Sequence, residues 1–122
     1  MPALLPLRIP AGWLVRYNTF TEDQRWHHTE DLLQLSSCTL VDGTWQADPE
    51  GYLVDLGWYP EGDPDGAYGL VVARPDFSGE IVVEVRHRDP RTICEAVEAC
   101  LASIGDGASD AAIAAEVRRR IP

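Results

Sequence analysis

From Gly12 to Arg88 apolar and polar residues alternate in short runs separated by turn residues, the two-residue period of strands with one buried face. Residues 12–18 predict a first strand with Trp13, Val15 and Tyr17 on one face and Leu14 and Arg16 on the other. Residues 32–41 predict a second strand. Asp42-Gly43 after it is a hairpin signal, because a type I′ turn needs positive φ at both central positions. Residues 44–47 begin the return, and Asp48-Pro49-Glu50-Gly51 turns the chain again, with proline preset for the first corner and glycine at the exit. Residues 52–59 place Tyr52, Val54, Leu56 and Trp58 opposite Leu53, Asp55 and Gly57. After a turn over residues 60–66, residues 68–74 are almost continuously apolar, which predicts a central strand. Residues 75–79 form a turn, and residues 80–88 alternate Ile81, Val83, Val85 and His87 against Val82, Glu84 and Arg86. Such short connections favour antiparallel order.

The period then changes. Asp89-Pro90 predicts a helix start, with aspartate accepting backbone N–H bonds and proline in the first turn, where no donor is needed. Ile93, Val97, Cys100, Leu101 and Ile104 form a stripe at helical spacing that ends at Gly105. Ser109 caps a second helix from Asp110 to about Arg120, carrying Ile113, Val117 and Ile121 on one face. Residues 19–31 are polar and aromatic without alternation and read as a loop, in which Thr21 is placed to cap one helical turn. The expected fold is α+β: one domain over residues 1–122 with a short irregular lead at 1–10. It comprises an antiparallel β-meander sheet of about five strands with one or two C-terminal helices packed on one face.

Composition narrows the function. A chain of 122 residues suits one domain, since at this size roughly 65% of the unfolded surface is buried on folding. The net charge of −10 disfavours nucleic acid and anionic membranes as partners and favours a basic protein. No stretch is long enough to span a bilayer. The proline-broken start lacks a basic region, so a signal peptide is not expected and a cytoplasmic location is. Cys38, Cys94 and Cys100 match neither a disulfide framework nor a zinc pattern. Cys94 and Cys100 lie six apart on one predicted helix, about 9 Å along its axis, beyond disulfide reach. Free thiols in a reducing compartment are expected.

Few residues suggest catalysis. His27, His28, Glu30 and Asp31 are able to ligate metal, but adjacent histidines point apart on a helix or strand, and an exposed polar loop is the preferred reading. Asp63, Asp65 and Gly66 resemble part of a calcium loop, yet Pro64 intervenes and the twelfth position is Arg74 in place of glutamate. Their better account is a turn. Arg118, Arg119 and Arg120 suit a helix C-terminus, where cations complement the dipole. Neither metal nor cofactor is expected. Of the four tryptophans most belong to the core or its rim, and one exposed beside acids is a candidate binding anchor. Trp26, among Glu22, Asp23, Glu30 and Asp31, is the first candidate. The second acidic patch is Glu61, Asp63 and Asp65. The candidate partner-binding residues are therefore Glu61, Asp63, Asp65, Trp26, Glu30 and Asp31.

Two segments, AGWLVRYNTF at 11–20 and VDLGWYPEGDPDGAYGLVV at 54–72, are followed by a strand and a capped helix. Over about residues 11–104 the chain resembles small bacterial immunity proteins that neutralise polymorphic toxins, including those of contact-dependent growth inhibition. The resemblance implies a cytoplasmic inhibitor that binds one cognate toxin domain, commonly a nuclease, stoichiometrically and without chemistry. It assigns no individual binding residue. The alternatives are a non-catalytic accessory domain with another partner and a small metal-dependent enzyme using the loop at 27–31.

Overall fold

The computed structural model describes residues 4–21 and 31–122. Its elements follow the order β1 (Trp13–Asn18), β2 (Leu33–Val41), β3 (Thr44–Ala47), β4 (Leu53–Tyr59), β5 (Ala67–Arg74), β6 (Glu80–His87), α1 (Pro90–Gly105) and α2 (Asp110–Arg119). The strands form one antiparallel sheet in the order β1-β2-β4-β5-β6, with β3 paired to the outer part of β2. The class and the meander order are those the alternation predicts. The Asp42-Gly43 corner has φ of 49° and 78°, as its turn type requires.

Both helices pack on one face of the sheet. Leu35, Val54, Leu56, Leu70, Val72 and Val83 point from the strands into a cluster shared with Ile93, Val97 and Leu101 of α1 and Ile113 and Val117 of α2. Leu5 and Phe20 join the same cluster. Trp58 and Phe20 meet the Tyr68 ring edge-on, at centroid separations of 4.9 and 5.5 Å, a favoured aromatic geometry. Burial of these side chains, each worth about 1.5–3 kcal/mol, is what holds the helices to the sheet.

Two bulges change the faces that simple alternation assigns. In β1, Val15 pairs with Leu35 but Tyr17 pairs with Gln34, so Arg16 is the extra residue. Arg16 and Tyr17 therefore both reach the face away from the helices, and Tyr17 does not follow Trp13 and Val15. In β6, Val72 pairs with Val83 and Ala73 with Ile81, leaving Val82 as the extra residue. Ile81 moves to the outer face, where it is exposed, and Val82 packs against the core.

The helix caps also depart in one detail. Asp89 Oδ2 accepts from Thr92 N at 2.9 Å and Ser109 Oγ from Ala112 N at 3.2 Å, the two N-caps expected. The glycine that ends α1, however, is Gly107 at φ +75°, with Asp106 as C-cap. Gly107 N donates to Ile104 O and Ala108 N to Ser103 O, each at 3.0 Å, the paired bonds of a Schellman stop. Gly105 lies within the helix.

Candidate functional site

The acidic turn is built on the rigid end of β4. Trp58, buried in the core, donates its indole N–H to Asp63 O at 2.6 Å. Asp63 Oδ1 accepts from Asp65 N at 2.9 Å, Gly66 N bonds Asp63 O at 3.0 Å, and Arg88 Nη2 reaches Pro64 O at 3.2 Å. These contacts fix the loop and leave Glu61 and Asp65 exposed, while Asp63 is half-buried and commits one carboxylate oxygen to the turn. Of the three acids, Glu61 and Asp65 are thus the ones presented outward.

Asp31 lies at the same end of the sheet. Leu32 N donates to Leu56 O at 3.1 Å and Thr19 N to Leu32 O at 2.7 Å, which places the entry to β2 beside the exit of β4. Asp31 is exposed, and the structure therefore brings it to the end of the sheet that carries Glu61 and Asp65. Trp26 and Glu30, with His27 and His28, lie outside the described residues. Among the described residues no group of three or more His, Cys, Asp or Glu is placed to hold a metal ion.

Behind this acidic end stands a buried carboxylate that alternation alone does not single out. Asp55 projects from β4 on the face away from the helices, yet it is only 5% exposed. Its Oδ1 accepts from Gln34 Nε2 at 3.1 Å and from Tyr17 Oη at 3.3 Å. Tyr17 Oη is also 3.3 Å from Asp31 Oδ1, so a single phenolic proton serves two carboxylates. Burial pushes the Asp55 carboxyl above its ordinary pKa and the Asp31 charge adds to the rise, against the two hydrogen bonds that favour the ion. Burial and the same two charges hold the Tyr17 hydroxyl firmly protonated. The cluster is a fixed polar joint between β1, β2 and β4.

The opposite end of that face carries an open groove of about 630 Å³. Its floor is Arg16, Gln34 and Ser36, and its walls come from the turn before β4 and from the β5–β6 turn, including Tyr52, Pro75 and Phe77. Beyond it the β2–β3 hairpin exposes Leu40 and Trp45, and β1 exposes Leu14. Trp45, at 58% exposure, is the described tryptophan that meets the criterion of an exposed aromatic anchor. Trp58 is buried and Trp13 packs against the core. The groove is assembled from five separate stretches of chain, and Arg16 reaches it through the bulge, so the sequence carries no compact signature of it.

The Cys94 and Cys100 thiols are not poised as nucleophiles. Burial, with the Glu98 charge second, pushes Cys94 up to about 11, and burial pushes Cys100 up to about 12. Arg119 and Arg120 both pair with Glu116 at 3.3 Å, which ties that basic run to its own helix. No helix among the described residues is long and apolar enough to cross a membrane. Comparison of the chain with protein-family models, with curated proteins and with solved structures returns no match.

Proposed function

We propose that this protein is a cytoplasmic immunity protein that binds one cognate bacterial toxin domain, a basic nuclease, and blocks it stoichiometrically without performing chemistry. The observation that carries this reading is the braced acidic turn at one end of the sheet, where Glu61 and Asp65 are exposed and toward which the entry to β2 carries exposed Asp31, on a chain of net charge −10. A rigid acidic surface attracts a basic, phosphate-binding cleft at long range and competes with its substrate. Preformed turn geometry adds affinity, because few groups must be ordered on binding. The resemblance of residues 11–20 and 54–72 to immunity proteins points the same way.

The test is co-expression with the toxin encoded beside this protein. Co-purification as a stable complex and abolition of toxicity at equimolar protein are the expected results. A toxin that remains fully active with excess purified protein, and that does not co-elute with it, overturns the reading.

A further inference from the structure

Leu14, Leu40 and Trp45 form an apolar surface that neither helix covers. Leu40 and Trp45 are direct partners across the β2–β3 hairpin, and Leu14 pairs with Ser36, which shares a face of β2 with Cys38 and Leu40. All three side chains are exposed, Leu40 and Trp45 by more than half. Beside them lies a cleft of about 270 Å³ lined by Ala11, Gly12, Trp13, Leu14, Cys38 and Trp45, with no charged side chain among these residues. Residues 11–15 and 38–47 hold one charge between them, Asp42 at the hairpin tip, on a chain of net charge −10. The sheet is also unguarded here. Its outer strands each carry a bulge and charged side chains, Arg16 in β1 and Val82 with Glu84 and Arg86 in β6, devices that keep edges from pairing with other chains. β3 carries neither, pairs only with β2 among the described residues, and is exposed along its whole length.

We propose that this surface joins two copies of the chain in a weak, closed dimer, with Leu40 of each copy seated in the cleft of the other. A two-fold contact requires knob and hole on one surface, so that each copy gives what it receives. Leu40 and the cleft meet that requirement, since Trp45 forms one wall of the cleft and is the cross-strand neighbour of Leu40. Charge selects the same arrangement. Two copies of net charge −10 repel, and the repulsion is smallest when they meet where charge is absent. The hairpin leads into the start of β4 and the acidic turn follows its end, so the contact sets Glu61 and Asp65 of the two copies at opposite ends of the pair and leaves both turns free. A basic partner, by contrast, finds almost no charge here to pair with. Three large side chains and the rim of a small cleft fall short of the roughly 800 Å² per partner of a standard interface, so the dimer is weak, with Kd about 100 µM. Pairing through the hairpin does not depend on what the acidic turn binds.

The test is sedimentation equilibrium of the full chain from about 10 µM to about 1 mM, at low and at high salt. A monomer–dimer equilibrium is expected, with Kd falling about threefold as salt rises from about 0.05 M to about 0.5 M, because screening relieves the repulsion between copies. Leu40→Ser and Trp45→Ser are each expected to raise Kd at least about tenfold. Ile81→Ser, at an exposed apolar residue on β6, is expected to leave Kd unchanged. All three positions are exposed, and circular dichroism of each variant verifies its fold. A chain that stays monomeric to about 1 mM in about 0.5 M salt overturns the proposal. So does a dimer that both hairpin variants leave intact, one that weakens with salt, or growth beyond two copies, which a closed contact forbids.

Discussion

Asp55 is the residue at which local chemistry and fold are most at odds. Its carboxylate is buried on the face of the sheet that the helices leave free, with both donors on one oxygen. Burial raises its folded pKa above the unfolded value of about 3.9. For an acid raised in this way, protonation favours the folded state. Its contribution to stability is therefore fully present below the unfolded pKa and is lost as pH rises through the folded pKa. Asp55→Asn keeps the shape and an oxygen that accepts from both Gln34 and Tyr17. The variant should be more stable than the wild type at pH 7 by about 1 kcal/mol, the scale of one buried hydrogen bond. Its advantage should vanish near pH 3. Urea unfolding of both proteins at the two pH values measures this. A variant less stable than wild type at pH 7 would mean that Gln34 and Tyr17 more than repay the desolvation of the ion.

At the level of elements, the hairpin corner at Asp42-Gly43, the caps at Asp89 and Ser109 and the strand periods were legible because each rests on residues adjacent in sequence. The bulges at Arg16 and Val82 were not, since one extra residue leaves the flanking alternation intact and shows only in the pairing register. The acids of the 60–66 turn were visible as a cluster, but that Asp31 lies at the same end of the sheet depends on β2 and β4 being neighbours. The end of α1 is the instructive miss. The sequence reading ends the helix at Gly105, and the left-handed φ at Gly107 moves the stop two residues on. Gly107→Ala should therefore destabilise by about 1–2 kcal/mol, the cost of a Cβ in that region. Gly105→Ala should stabilise by up to about 1 kcal/mol, because the position is helical and a Cβ there meets nothing within 4 Å. Thermal unfolding of the pair gives opposite signs if Gly107 is the stop, and the same sign if the cap tolerates either residue.

At the scale of the whole molecule, the chain carries a net charge of −10 and presents part of it from one braced turn. The acidic end projects Glu61 and Asp65 from a turn held by Trp58 and Arg88, which suits long-range attraction of a basic partner. Changing Glu61→Gln, Asp63→Asn and Asp65→Asn together removes three of the twenty acidic groups while keeping their shapes. The amide of Asn at position 63 still offers an oxygen to the Asp65 backbone N–H, so the turn is preserved and only charge is altered. Against the cognate toxin, the association rate should fall about three- to tenfold at low ionic strength and converge with wild type near 1 M salt, where the Debye length is about 3 Å. The dissociation rate should change little. Stopped-flow association across a salt series makes the separation. An association rate equal to wild type at low salt would remove the 60–66 turn from the encounter and leave the attraction to acids elsewhere on the chain.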